Sequence, residues 1–201
     1  MTLNIDIPDQ STLEERFSFI EDDTLRTNIT ITFRYIIFLI ELEQKEKLPG
    51  PIIYSIYKDM IVQTGTVVES CTHYTLKKLI DDGKIKSSDV MEDEWKEEKC
   101  LVIEELSDER QVCGIIRHKA TKRLNKHTNF IELNRACLKA DIFTQSICEK
   151  AEKLREARNK IHLAGLNKVD DIYEKKDVDR YFEDARVILN RLEVKLTKEV
   201  T

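Results

Sequence analysis

Between Leu25 and Asp82 the chain carries only four glycines or prolines: Pro49, Gly50 and Pro51 in one cluster, and Gly65 alone. This stretch constrains the fold more than any other. Over 25–47 the apolar residues run almost without a break from Phe33 to Leu42, so both sides of the segment are expected to be covered. Its threonines and isoleucines would by themselves permit a strand. The length, the charged tail ELEQKEK and the Pro-Gly-Pro stop favour a helix. Over 52–82, Ile53, Ile56, Tyr57, Met60, Ile61, Val67, Val68, Cys71, Leu76, Leu79 and Ile80 recur mainly at spacings of three and four, the helical period. Pro51 suits the first turn of that helix and Gly83 its C-terminal cap, while Gly65 is a weak point inside it. Two long helices joined by so short a link predict an antiparallel helical hairpin.

The rest of the chain supports a mainly α architecture, an antiparallel helical bundle of four to six helices. Three prolines and five glycines in 201 residues, with 35% charged residues, favour long amphipathic helices over sheets. A length of 201 residues suits one domain with extensions, here an N-terminal extension over 1–23 and a variable insertion over 84–129. A short helix is possible over 13–20, with Ser11 or Thr12 as cap. In the insertion, Ser88 to Trp95 can start an acidic helix, with Trp95 anchoring the segment to the bundle. CLVIEEL (100–106) and QVCGIIRHK (111–119) flank Ser107-Asp108-Glu109-Arg110 and predict a β-hairpin. Helices are expected again over 130–140, ended by Asp141, and over 177–198.

Charge and cysteine usage narrow the setting. A net charge of −5 argues against a generally basic nucleic-acid binder but leaves room for a local basic site. The five cysteines (Cys71, Cys100, Cys113, Cys137, Cys148) are odd in number and form no CxxC pair, which predicts reduced thiols in a cytoplasmic protein rather than disulfides or a zinc site. The first residues show no basic segment followed by an apolar run, so no secretory leader is expected. The apolar run 35–40 is too short to cross a bilayer. No metal site or cofactor is indicated.

The chemistry gathers in SICEKAEKLREARNKIHLAGL, 146–166, a predicted helix with Ser146 and Glu149 as a capping box and Gly165 as its end. An apolar stripe runs through Ile147, Ala151, Leu154 and Ile161. At about 100° per residue, Arg155 and His162 project about 20° apart, Asn159 lies about 40° to one side and Arg158 about 60° to the other. Arg158 falls within the apolar stripe, where an arginine is costly unless paired or lining a polar cavity. Two guanidiniums, an amide and an imidazole on one arc suit an anion site, because arginine forks match phosphate oxygens and histidine exchanges protons near neutrality. The plainer alternative is a solvated helix end whose cations complement the helix dipole.

The segment LREARNKIH (154–162) resembles the signature of the HEPN superfamily, an arginine followed after four to six residues by a histidine, often with a polar Asn between. Arg155 to His162 leaves six intervening residues and Arg158 to His162 leaves three, so either arginine can hold the motif role. The order of elements also fits, and Val67-Val68-Glu69-Ser70 is similar to a segment found in many relatives. The resemblance implies a small helical bundle. It implies a homodimer whose two motif helices form a composite cleft, and a metal-independent endoribonuclease of toxin–antitoxin or other microbial defence systems. His162 would be the acid/base, Arg155 and Arg158 would hold phosphate, and Asn159 would orient the pair. A non-catalytic RNA- or protein-binding module is the alternative that the same resemblance allows.

The one basic run, Arg117, His118, Lys119, Lys122, Arg123, Lys126 and His127, can guide an RNA backbone beside the cleft, or can simply solvate a loop face. No aromatic residue interleaves it, so a base-stacking platform is not indicated. His73 and Tyr74, in mid-helix with apolar neighbours, read as packing residues, and Cys71, Cys137 and Cys148 as core thiols.

Overall fold

The computed structural model describes residues 6–106, 109–160 and 173–197. Among these, seven helices and one two-stranded antiparallel sheet follow in the order α1 (Gln10–Arg16), α2 (Asp23–Lys45), α3 (Gly50–Asp81), α4 (Ser87–Val90), β1 (Asp93–Glu105), β2 (Gln111–Thr121), α5 (Phe130–Lys139), α6 (Gln145–Asn159) and α7 (Lys175–Thr197). The protein is thus mainly helical, with a small sheet in the middle of the chain. No helix among the described residues is long and apolar enough to cross a membrane.

Helix α3 is the centre of the fold. It packs against α2, α5, α6 and α7. Its buried residues run from Ile56 to Leu79 and include Met60, Ile61, Val67, Val68, Cys71 and Leu76. Buried Thr64 and Thr72 turn back on the helix, donating their hydroxyls to the carbonyls of Met60 and Val68, each at 2.7 Å. Pro49 and Pro51 start it, and Gly83, at φ 71°, takes the left-handed conformation that ends it.

The apolar interior forms two clusters. One is built around Phe17, Ile20, Val68, Leu76, Leu133, Leu154, Ile188 and Leu192. The other holds Leu39, Tyr57, Met60, Ile61, Ala157, Tyr173 and Val178. Helix α6 contributes Leu154 to the first and Ala157 to the second, so its last turn lies where they meet. A charged tie between the helices accompanies this packing: the Lys150 ammonium on α6 donates to the carboxylate of Asp184 on α7, whose side chain is 7% exposed.

Several local expectations change. Thr144, not Ser146, caps α6, accepting from Ile147 N–H at 3.4 Å. The first helix spans Gln10–Arg16 with Asp9 at its N-cap and no side-chain cap bond, so neither Ser11 nor Thr12 caps it. The expected acidic helix over 88–95 is a single turn, Ser87–Val90. From Asp93 onward, the segment pairs with 111–121, Trp95 opposite Lys119 and Lys96 opposite His118. Cross-strand partners outweigh local helix preference there. Trp95 is 65% exposed and does not anchor the hairpin. The hairpin's base is held instead by Lys122, whose backbone N–H donates to the Glu92 carbonyl at 3.0 Å and whose ammonium meets Glu132 at 2.6 Å.

Candidate functional site

Helix α6 carries three of the four motif residues within the described part of the chain; His162 lies outside it. The buried residues of α6 are Cys148, Ala151, Leu154 and Ala157, and at about 100° per residue Arg158 projects among them, on the side that meets α3. Its side chain is 34% exposed and paired. Gly65 of α3 lies directly beneath: a Cβ added there would come within 3.2 Å of the Arg158 Cβ and 3.3 Å of the Leu154 carbonyl oxygen. A glycine in α3 is what allows α6 to pass so close.

The guanidinium of Arg158 reaches across to α3 and engages both oxygens of Glu69, Nη2 to Oε2 at 2.9 Å and Nη1 to Oε1 at 3.3 Å. This two-point geometry orients a planar fork. Burial pushes the Glu69 carboxyl above the usual carboxylate range, while the charges of Arg158 and His73 act in the opposite direction. Arg155 is differently employed. It is 19% exposed and is held on its own helix by Glu152 at 2.7 Å and Glu156 at 3.6 Å. Glu152 also accepts from the buried Asn134 amide at 2.6 Å. Asn159 is exposed.

Arg158 opens onto a cleft of about 320 Å³ lined by Leu25, Glu69, Ser70, His73, Lys126, Thr128 and Leu133, at the lower end of the usual volume for a small-ligand site. Two sequence candidates thus meet here, Arg158 from the motif helix and Lys126 from the basic run. Arg155 and Asn159 do not line the cleft. The other members of the run are dispersed. Arg117 pairs with Glu97 at 2.8 Å and Lys119 with Asp93 at 3.1 Å, both on the hairpin. Lys122 is engaged by Glu132, and Arg123 lines a separate open hollow with Ser87, Lys96 and His118. Exposed pairs of this kind contribute little to stability.

Two features of the cleft escape a residue-type reading. Glu69 is the charge that meets Arg158, and His73 lines the cleft where the sequence suggested packing. The spacing held a signal for both: residues four apart on a helix share a face, and Glu69 and His73 are so placed. Among the described residues, no cluster of His, Cys, Asp and Glu could hold a metal ion.

No family model, no curated protein and no solved structure matches this chain.

Proposed function

We propose that this protein is a metal-independent endoribonuclease of the HEPN type, a helical bundle that works as a homodimer in a microbial defence or toxin–antitoxin setting in the cytoplasm. The reading is supported by one observation above the rest. A motif arginine and a lysine of the basic run, 32 residues apart in sequence, line a single open cleft. Arg158 and Lys126 supply the positive charge that a phosphodiester needs, and Arg158 is preferred to Arg155 as the phosphate-binding arginine because Arg155 does not line the cleft. Cleavage on RNA can use the ribose 2′-OH as nucleophile. The step requires acid–base proton transfer and stabilisation of charge on the phosphoryl oxygens. His162 serves the proton transfer, Arg158 the charge. Asn159 lies at the exposed end of α6, available to a second protomer in a composite cleft.

The test is incubation of labelled total RNA with the wild type and with His162→Ala, both in EDTA. The expected result is 2′,3′-cyclic phosphate ends from the wild type and a loss on the order of 10²–10⁴-fold in the variant. Equal cleavage by the two proteins sinks the assignment. A second reading, an RNA- or protein-binding module without turnover, is favoured by the pairing of Arg158 with Glu69, which neutralises the cation in the free protein. It predicts RNA or antitoxin-like partner binding with no cyclic phosphate formed.

A further inference from the structure

The cleft contains an imidazole whose protonation pattern is fixed by its surroundings. His73 Nε2 lies 3.1 Å from the backbone carbonyl oxygen of Asn125. A carbonyl oxygen can only accept, so Nε2 must carry the hydrogen. In the neutral ring, Nδ1 then holds the lone pair.

The carbonyl that imposes this is itself held firmly. Asn125 sits in a tight turn: its carbonyl accepts from Thr128 N–H at 3.0 Å, its backbone N–H donates to the Thr128 hydroxyl at 3.0 Å, and its side-chain oxygen accepts from His127 N–H at 2.8 Å. The ring is thus positioned by the linker between β2 and α5 and carried by α3, the central helix. The charged groups around it are Glu69 on its own helix, Arg158 on α6 and Lys126 in the linker. A base oriented by one partner and set beside a phosphate-binding cation is the arrangement that proton abstraction requires.

From this geometry, and resting on the ribonuclease reading above, we infer that His73 is the general base that activates the 2′-OH of an RNA substrate bound at Arg158 and Lys126, so that each protomer carries a proton acceptor of its own. In the step, the 2′-oxygen bonds to phosphorus and its proton passes to His73 Nδ1. The bond from phosphorus to the 5′-oxygen breaks, and that oxygen takes a proton from His162. The products are a 2′,3′-cyclic phosphate and a 5′-hydroxyl. No oxidant or other co-reactant is needed. The substrate class is RNA with a free 2′-OH at the scissile position; DNA and 2′-O-methyl RNA bind without reacting.

Two substrates separate the roles. One is a short single-stranded RNA, the other uridine 3′-(4-nitrophenyl phosphate), whose leaving group needs no acid. His73→Gln keeps an N–H donor for the Asn125 carbonyl but has no basic nitrogen. It should lose on the order of 10²–10⁴-fold in kcat on both substrates, with an unchanged thermal midpoint. His162→Ala should lose far more on RNA than on the nitrophenyl ester. His73→Ala should regain activity with added imidazole, which restores a base and not a fold. A wild type that cleaves while His73→Gln retains full kcat overturns this inference alone. So does a His73→Ala variant that imidazole fails to rescue. A wild type that cleaves neither substrate overturns the ribonuclease reading and this inference together.

Discussion

Replacing Gly65 with alanine sets two effects of opposite sign against each other. In an exposed helix interior the change stabilises by about 1 kcal/mol, because alanine loses less backbone entropy than glycine. Gly65 is buried, however, and the new methyl would lie 3.2 Å from the Arg158 Cβ and 3.3 Å from the Leu154 carbonyl oxygen. That oxygen belongs to helical backbone whose own side chain is 0% exposed, so α6 can yield only by shifting as a unit away from α3. Overpacking of this kind costs roughly 1–3 kcal/mol. The net expectation is a loss of about 0–2 kcal/mol, with Gly65→Val losing more because its branched side chain adds two further methyl groups. Urea denaturation measures it as a lower midpoint with an unchanged slope. Arg158 is carried on the displaced turn, so RNA binding should weaken in the same variant. If Gly65→Ala instead gains the full ~1 kcal/mol expected of an unobstructed site, α6 does not cross α3 at this distance. The placement of Arg158 at the cleft then fails with it.

Other expectations can be checked on the same protein. Burial holds the Glu69 carboxyl above its ordinary range, so ionising it costs the folded chain more than the unfolded one. Wild-type stability should therefore decline relative to Glu69→Gln as pH rises through the carboxylate range, then level off above the raised folded value; parallel urea midpoints across that range would contradict this. The same substitution releases Arg158 and should tighten RNA binding in a fluorescence-anisotropy titration, whereas weaker binding would show that the pair serves the ligand. Leu192→Ala, at 0% exposure, should cost about 2–5 kcal/mol in urea. Ile116→Ala, at 47% exposure on the hairpin, should fall within about 0.5 kcal/mol of the wild type. Ellman's reagent should find Cys100 and Cys113 rapidly, both being exposed, while burial pushes the thiols of Cys71 and Cys137 far up and delays them until unfolding. If Cys100→Ser/Cys113→Ser leaves the fast phase intact, the hairpin is not laid out as described.

Local chemistry carried most of the helix pattern. The period of three and four over 52–82, the Pro-Gly-Pro break and Gly83 are each properties of a few adjacent residues, and α2 and α3 fall within a few residues of the expected limits. The hairpin was legible from its β-branched runs, but its length was not. Residues 93–99 are rich in Lys and Glu and have no strand preference of their own. They become a strand because 116–121 lie alongside to pair with them.

For the candidate site the division is sharper. The sequence by itself placed Arg155, Arg158 and Asn159 on one helix, since helical projection depends only on spacing. What it could not determine is what faces that helix. Arg155 and Arg158 are the same residue type one turn apart, and only tertiary packing separates them, turning one toward Glu152 of its own helix and the other toward Glu69 of α3. Gly65 reads in the sequence as a helix weakness and in the fold as the point where α6 crosses. His73 and Lys126 are 53 positions apart, and no local pattern links them. They share a cleft because the turn at Asn125 folds back over α3, a long-range contact whose formation depends on the whole core and not on the residues at either end.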